Sequence, residues 1–380
     1  MTNNNYIAIY RRFRPEVFDE VLGQEHVTRV LQTQIRENSL AHAYLFSGTR
    51  GTGKTTIARL LAKGVNCLAG GNDSKPASDV LRPCGVCENC KAIKNGVFVD
   101  VVEIDAASNN SVEDVRELRD SVMYPPVSGR KKVFIIDEVH MFSKSAFNAL
   151  LKTLEEPPPH VMFILATTEL GKLPATILSR CLRFDFKRVS TQEIMRGMKM
   201  VVKELGLTMD DDAAALLAAN ADGSVRDGFS LLEQCVSSNE KHISRNLLLE
   251  LLGSPSDEQL ALLTQAAFEK KTTDALVLLS EILAAGKDEQ RVISEWITYF
   301  HAMLLIKFVK RPERIINRSI ENIEQMRKQA EAIAPAFINE NIYRLSQLLN
   351  DARWSSHTRI LLEMAVIEMS ERGLNTWEKE

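Results

Sequence analysis

The chain has 380 residues, of which 45% are hydrophobic and 26% charged, an ordinary globular composition with room for two or three domains. A formal net charge of −3 excludes a global basic field, so any contact with nucleic acid must be a local patch. The N-terminus lacks the apolar core of a signal peptide, and no apolar run is long enough to cross a bilayer. We therefore expect a soluble cytoplasmic protein.

Five short apolar runs alternate with helical patterns in the first half of the chain. They are AYLFSG (43–48), VDVVEID (99–105), KVFIID (132–137), VMFILATT (161–168) and LRFDF (182–186). Continuous apolar character predicts strands covered on both faces, hence a mainly parallel sheet with crossover helices. Polar residues gather where these runs end, at Gly48, Asp105, Asp137, Glu138, Thr167 and Thr168. That edge is where open α/β sheets bind ligands.

The pattern becomes helical after about Lys187. Apolar residues then recur at three- and four-residue spacing, with glycine or proline between segments. A small unit reaches to about residue 240, and a longer all-helical stretch follows it.

The segment GTRGTGKTT follows the first predicted strand and opens a predicted helix. It fits the phosphate-loop pattern in the strand–loop–helix context that the pattern requires. Backbone N–H groups of such a loop surround phosphates at a helix N-terminus, Lys54 neutralises their charge, and the Thr55 hydroxyl ligates Mg²⁺. The expected nucleotide-binding residues are Gly48, Thr49, Arg50, Gly51, Thr52, Gly53, Lys54, Thr55 and Thr56.

The run KVFIIDEVHM places Asp137 and Glu138 at the end of an apolar strand. One carboxylate can hold the Mg²⁺ shell while its neighbour polarises a water for attack. Two solvated acids at a strand end are common by themselves, but beside a phosphate loop they predict hydrolysis of ATP or GTP.

Four of the six cysteines are close together in the sequence, at Cys67, Cys84, Cys87 and Cys90. Four thiolates complete a closed tetrahedral Zn²⁺ site, which is structural rather than catalytic. The loop between the first two is polar, so a metal would offset its ordering cost. Iron–sulfur ligation is the alternative. Cys181 and Cys235 lie elsewhere and are expected to be small core residues.

The ordered set of motifs resembles one family, the gamma/tau subunits of bacterial DNA polymerase III, which are clamp-loader ATPases of the AAA+ class. The matching segments are YRRFRP, VLGQEHV, HAYLFSGTRGTGKTT, the cysteine cluster, EIDAAS, IDEVHM, FNALLKTLEEPP, ILATTE, ILSRC and VRD. The resemblance implies an α/β AAA+ (P-loop) domain with an embedded zinc module, then a helical lid and an all-α collar. The implied bounds are 1–187 (zinc module about 64–96), 188–245 and 246–380.

The resemblance also implies roles for single residues. Thr168 would be a first sensor of the γ-phosphate, and Arg226 a second sensor carried by the lid. Arg11, Pro15 and Leu22 would line the adenine pocket; a basic N-terminal arm packed on the domain is the alternative. Two departures from the family pattern are a longer loop after Cys67 and a glycine at position 228 in place of alanine, which predicts a looser helix.

Arg180, in ILSRC, has no obvious acidic partner nearby in the sequence. The resemblance implies that it projects in trans into the ATP site of a neighbouring subunit, where a guanidinium stabilises charge on the transferring phosphoryl group. An ion pair within the chain is the alternative.

The segment after the second strand predicts a helix that starts near Ser111. Clamp loaders track template phosphates with helix N-termini in this region, so Ser108, Asn109, Asn110 and Arg116 could donate to phosphate. A capped surface helix explains the same residues.

The phosphate loop predicts nucleotide hydrolysis, and the resemblance implies an ATP-hydrolysing motor subunit that loads the sliding clamp onto primed DNA for the replicative polymerase. The expected partners are the other subunits of a hetero-oligomeric ring, the clamp, the primed template through its backbone, and the polymerase, with no membrane. The expected cofactors are ATP, Mg²⁺ and Zn²⁺; no polymerase chemistry is visible. The alternatives are a non-hydrolysing clamp-loader scaffold, which the intact phosphate loop disfavours, and another DNA-remodelling AAA+ ATPase.

Overall fold

A computed structural model of the protein describes residues 7–70, 83–238, 240–312, 315–316 and 320–372. The distinctive part of the loop between Cys67 and Cys84, at positions 71–82, lies outside these residues. The chain forms two compact units. The first contains Met1–Val201 and Leu217–Glu233, and the second contains Val202–Leu216 and Gln234–Glu380.

The first unit is built on a five-stranded sheet with strand order β2-β3-β4-β1-β5. Its strands are β1 (Ala43–Ser47), β2 (Val101–Asp105), β3 (Lys132–Asp137), β4 (Val161–Thr167) and β5 (Leu182–Asp185). Every neighbouring pair is parallel. This confirms the predicted parallel α/β fold, and each strand forms within the apolar run that predicted it.

Burial of the strands follows their place in the sheet. All residues of β1 and β4 are buried, whereas the edge strands β2 and β5 are mostly half-buried or exposed. Along β1, Tyr44 and Phe46 belong to one hydrophobic core, and Ala43 and Leu45 belong to another. Both faces of the sheet are therefore covered, as a parallel sheet requires.

Helices cover both faces of the sheet. The helices up to the end of the sheet are α1 (Ile9–Arg12), α2 (Glu25–Glu37), α3 (Lys54–Asn66), α4 (Glu88–Lys94), α5 (Val112–Val122), α6 (Lys144–Glu155) and α7 (Ala175–Leu178). Helices α2 and α3 contribute to the core around Phe46, and α5 and α6 to the core around Leu45. Three helices follow: α8 (Thr191–Glu204), α9 (Asp211–Asn220) and α10 (Val225–Ser237).

The second unit is mainly helical, with a core centred on buried Trp296, Tyr299 and Phe300. Its later helices are α11 (Arg245–Leu251), α12 (Asp257–Phe268), α13 (Thr272–Ala284), α14 (Glu289–Phe308), α15 (Ile320–Ala332), α16 (Pro335–Ala352) and α17 (Thr358–Arg372). The prediction of purely helical structure after residue 187 missed one parallel pair, β6 (Thr208–Met209) with β7 (His242–Ile243). Two-residue strands are too short to show a period of two.

Across the residues that the structure describes, none of the helices combines the length and the apolar character needed to span a bilayer.

Candidate nucleotide and metal sites

The loop between β1 and α3 depends on its glycines. Gly48, Gly51 and Gly53 all have positive φ, at 150°, 76° and 101°. A Cβ at Gly48 would lie 2.5 Å from the Phe186 carbonyl oxygen, and one at Gly51 would lie 1.9 Å from Ser224 Oγ. The loop can therefore adopt this path only without side chains at these positions.

Lys54, the first residue of α3, is 5% exposed and points back into the loop. Its Nζ donates to the carbonyl oxygens of Gly48 at 2.8 Å and Thr49 at 2.9 Å. Burial lowers the pKa of Lys54, while the nearby carboxylates of Glu138 and Asp137 oppose that shift. A partly desolvated ammonium held inside a phosphate loop is placed to bind an incoming polyanion.

Thr55, on the first turn of α3, and Asp137, the last residue of β3, lie side by side. The Thr55 hydroxyl donates to Asp137 Oδ2 at 2.6 Å, so one hydroxyl and one carboxylate oxygen face each other. These are the oxygen ligands that Mg²⁺ takes in phosphate-loop proteins. The arrangement fits the metal role that the sequence predicts for both residues.

Glu138 follows β3 in the left-handed region, with φ 48° and ψ 43°. Strained backbone of this kind clusters at functional sites. Its Oε2 accepts hydrogen bonds from Thr168 N at 3.2 Å and Thr168 Oγ1 at 2.9 Å. Strand β4 lies between β1 and β3, which is why Thr168, just beyond its end, reaches the carboxylate.

His140 also reaches this carboxylate, and sequence reasoning missed it. Its side chain is 6% exposed, with Nδ1 3.4 Å from Glu138 Oε2 and 3.1 Å from Thr167 Oγ1. Its Nε2 lies 3.4 Å from Glu169 Oε1.

Arg226 lies beside the phosphate loop, on the first turn of α10. Its backbone N–H donates to the Gly51 carbonyl oxygen at 3.5 Å. Its guanidinium carbon lies 4.9 Å from the centroid of the Tyr10 ring, a cation–π contact. Arg11 Nε donates to the Tyr10 hydroxyl at 3.1 Å, and this hydrogen bond lowers the pKa of Tyr10. Tyr10, in the N-terminal arm, thus contacts Arg226, the predicted second sensor.

The other two residues predicted for the adenine pocket, Pro15 and Leu22, are half-buried. Leu22 packs directly on α8, because a Cβ at Gly197 would lie 2.6 Å from Leu22 Cδ1. Gln24, two residues later, is fully buried, and its amide donates to the carbonyl oxygens of Thr52 at 3.4 Å and Lys187 at 2.7 Å. Gln24 therefore joins the phosphate loop to the segment after β5, a contact that the motif VLGQEHV did not predict.

Helix α10 is closely packed at Gly228 rather than loose. A Cβ there would lie 2.8 Å from Met198 Cε and 3.1 Å from Ala221 Cβ. The glycine permits this close approach to α8, which offsets its low helix propensity.

Arg180 has an acidic partner within the chain, as in the alternative that the sequence analysis left open. Its Nη2 donates to Glu155 Oε1 at 2.5 Å, and its Nη1 donates to the Thr176 carbonyl oxygen at 2.8 Å. Glu155 is the last residue of α6, and only the fold brings it beside the turn after α7.

The predicted DNA-contact residues lie at the start of α5. Ser111 is its N-cap and forms a capping box with Asp114, so the helix starts where the sequence predicted. Ser108, Asn110 and Arg116 are exposed, and Asn109 Nδ2 donates to the Asp105 carbonyl oxygen at 3.0 Å. Arg116 lies 3.6 Å from Glu113. The structure shows a capped surface helix, and the phosphate contacts of these residues stay a prediction.

The four clustered cysteines converge around α4. Their sulfurs lie within 4.8 Å of one another, and all four are free thiols. Four ligands about 2.3 Å from one tetrahedral Zn²⁺ would be ~3.8 Å apart, so the donor set fits a single ion. A hydrogen bond from the Cys90 thiol lowers the pKa of Cys67, which favours the thiolate that a metal binds. Cys235 is buried, as expected of a core residue, and Cys181 is half-buried.

Known families match the chain in three consecutive stretches. They are the delta subunit of DNA polymerase III over residues 23–190, the ATPase lid domain of the DNA polymerase III clamp-loader subunit over 193–240, and domain III of subunits gamma and tau over 243–377. The DNA polymerase III subunit gamma of Buchnera aphidicola subsp. Acyrthosiphon pisum is 36% identical over 370 residues, which cover 96% of this chain and 99% of that protein. The chain belongs to the gamma/tau family of DNA polymerase III subunits.

Longer relatives of this gamma/tau family match along most of the chain as well. Subunit tau of Bacillus subtilis is 43% identical over 365 residues, covering 96% of this chain and 63% of that protein. Subunit tau of Escherichia coli is 42% identical over 334 residues, covering 88% and 50%. The chain thus spans about half to two thirds of these tau subunits.

Among solved structures, the chain is similar to the RuvB Holliday junction branch migration motor of Thermotoga maritima. The TM-score is 0.48 at 19% identity, and the match covers 67% of this chain and 79% of that one. A likeness at this level carries no argument about function.

Proposed function

We propose that this chain is the ATP-hydrolysing motor subunit of a bacterial clamp loader. It would act in a hetero-oligomeric ring that loads the sliding clamp onto primed DNA for the replicative polymerase, in the cytoplasm and at the nucleoid during replication. The observation that carries the proposal is the meeting of Thr55 and Asp137 at 2.6 Å, with Lys54 buried in the loop beside them. A scaffold that does not hydrolyse nucleotide has no need of this set.

Nucleotide binding falls to the phosphate loop. Backbone N–H groups at the start of α3 and the Lys54 ammonium would bind the β- and γ-phosphates, exchanging the carbonyl partners of Lys54 for phosphate oxygens. Mg²⁺, held by the Thr55 hydroxyl and the Asp137 carboxylate, would neutralise charge on the phosphates. The adenine base would lie near Arg11, Pro15 and Leu22.

Glu138 and Thr168 would carry out the hydrolysis step. The Glu138 carboxylate would orient and polarise the attacking water, because enzymes catalyse phosphoryl transfer mainly by positioning the reactants and stabilising charge. The Thr168 hydroxyl already holds one oxygen of that carboxylate. It can therefore report occupancy of the γ-phosphate position by exchanging this bond for one to phosphate. Arg226, beside Gly51, would contact the same nucleotide.

Arg180 would complete the site of a neighbouring subunit in trans. The guanidinium would leave Glu155 and stabilise charge on the transferring phosphoryl group. Its side chain is 32% exposed and that of Glu155 is 46% exposed, so water can solvate both ends of the pair during the exchange.

Cys67, Cys84, Cys87 and Cys90 would hold one structural Zn²⁺. A closed four-sulfur site has no open position for substrate, so its role would be to order the module around α4. Ser108, Asn109, Asn110 and Arg116 would contact the phosphates of primed DNA without reading bases.

A clamp-loading assay tests the proposal. The chain is combined with its partner subunits, clamp and primed DNA, and stable clamp on DNA is measured with ATP and with a non-hydrolysable analogue. We expect completed loading only with ATP, and an arrested ternary complex with the analogue. Equal completed loading with both nucleotides would contradict a hydrolytic motor.

A further inference from the structure

We propose that His140 is a positioning residue for Glu138, fixing the carboxylate oxygen that does not face the attacking water. The inference rests on the proposed function, in which Glu138 polarises that water. It concerns which group holds the carboxylate in place.

The backbone puts His140 within reach. Glu138 turns the chain through the left-handed region, and a short 3₁₀ turn over Val139–Met141 follows it directly. Val139 is fully buried and anchors this turn in the core. His140, two residues after Glu138, is thereby brought back beside the Glu138 side chain.

The contacts of the Glu138 carboxylate converge on one of its two oxygens. In the part of the chain that the structure describes, Oε2 accepts from Thr168 N and Thr168 Oγ1 and lies 3.4 Å from His140 Nδ1. The Glu138 side chain is 31% exposed, so a water molecule can reach its carboxylate, and the described residues place their hydrogen bonds on Oε2 rather than Oε1. A carboxylate fixed through one oxygen presents the other in a defined direction.

His140 is itself held from both sides. Nδ1 lies 3.1 Å from Thr167 Oγ1, and that oxygen also accepts the backbone N–H of Glu169. Nε2 lies 3.4 Å from Glu169 Oε1, and Glu169 pairs with Lys172 at 2.9 Å. A 6% exposed imidazole with a partner at each nitrogen has little freedom to turn.

The arrangement also indicates which contacts of Glu138 persist when a nucleotide binds. If the Thr168 hydroxyl leaves Glu138 to bind a γ-phosphate, His140 Nδ1, 3.4 Å from Oε2, is the side-chain nitrogen that remains beside this oxygen, together with the Thr168 N–H. The carboxylate then keeps its orientation at the moment when the water attacks the γ-phosphorus. His140 is therefore needed most in the nucleotide-bound state.

Three substitutions separate this role from a structural one. His140→Leu removes both nitrogens, His140→Asn keeps a donor near the Nδ1 position, and His140→Gln keeps one near the Nε2 position. We expect kcat for ATP in the assembled complex to fall about 10- to 100-fold in the leucine variant, with the KM for ATP and the nucleotide Kd of the chain unchanged. Asparagine should restore most of kcat, and glutamine should not.

Two outcomes overturn the inference. One is a leucine variant with wild-type kcat; the other is equal rescue by asparagine and glutamine, which would indicate a role in packing alone. Glu138→Gln serves as the reference. If Glu138→Gln hydrolyses ATP normally, the proposed function of Glu138 fails; if it is inactive while His140→Leu is normal, only the role of His140 fails.

Discussion

Arg180 Nη2 donates to Glu155 Oε1 at 2.5 Å, so the predicted arginine finger is paired within its own chain. Exposed ion pairs contribute about 0–1 kcal/mol. A neighbouring triphosphate carries several negative charges and can replace a single carboxylate as the partner of Arg180. The ion pair with Glu155 therefore does not prevent the Arg180 guanidinium from acting in trans.

Arg180→Ala should leave ATP binding to the chain largely intact and cut hydrolysis in the assembled complex by about 10³-fold or more, because an arginine finger acts on the transition state. Single-turnover hydrolysis in the complex measures the loss. Glu155→Gln is a first control and should stay within about fivefold of the wild type, since the pair is weak; Glu156→Gln is the matched neighbour. Normal turnover in Arg180→Ala would exclude the finger.

Lys54→Ala should abolish nucleotide binding and clamp loading. Lys54 is 5% exposed, and the variant removes the ammonium that donates to the carbonyl oxygens of Gly48 and Thr49. Among the residues described, no other side-chain cation donates to these two oxygens. Fluorescent-nucleotide titration and a thermal melt together measure the effect. A folded variant that still loads clamps with ATP would remove the motor assignment.

Tyr10→Leu should weaken the action of Arg226, because the ring lies 4.9 Å from its guanidinium. An exposed cation–π contact contributes about 0.5–1 kcal/mol, so we expect about a two- to fivefold fall in kcat/KM for ATP. Tyr10→Phe keeps the ring and should match the wild type. If phenylalanine is as harmful as leucine, the Tyr10 hydroxyl and its bond to Arg11 matter instead of the stack.

Metal analysis should find about one zinc per chain, since four sulfurs within 4.8 Å suit one tetrahedral ion. Affinity should fall as the pH falls, because protons compete with the metal for the thiolates. A strong chelator should lower the melting temperature of the chain, because it removes the metal from the cysteines. The structure of the phosphate loop should stay unchanged. An iron absorbance band would contradict the zinc assignment.

The parallel sheet and the phosphate loop could be predicted because their signals are local. A continuous apolar run indicates a strand that is buried on both faces. The glycine spacing indicates a tight loop, and its backbone path indeed requires glycine at positions 48 and 51. The Glu155 partner of Arg180 could not be predicted, because 25 residues separate the two and only the packing of α6 and α7 brings them together. Gln24 and His140 were missed for a different reason, because a single buried polar side chain produces no periodic pattern in the sequence.

The assignment of Arg226, Thr168 and the adenine-pocket residues came from resemblance rather than from pattern. The structure brings Arg226 to Gly51 and Thr168 to Glu138, but their roles stay predictions until nucleotide is bound. The domain bounds at 187/188 and 245/246 also stay predictions.

The central claim is that one subunit cleaves ATP efficiently only when a neighbour supplies Arg180. The most direct measurement is the ATP turnover per site of the chain as a monomer, then in the ring with partner subunits, clamp and primed DNA. We expect the monomer to be slower by about 10³-fold or more, with Arg180→Ala rings falling to the monomer rate. A strictly monomeric chain that turns over ATP as fast as the complete ring would contradict the claim.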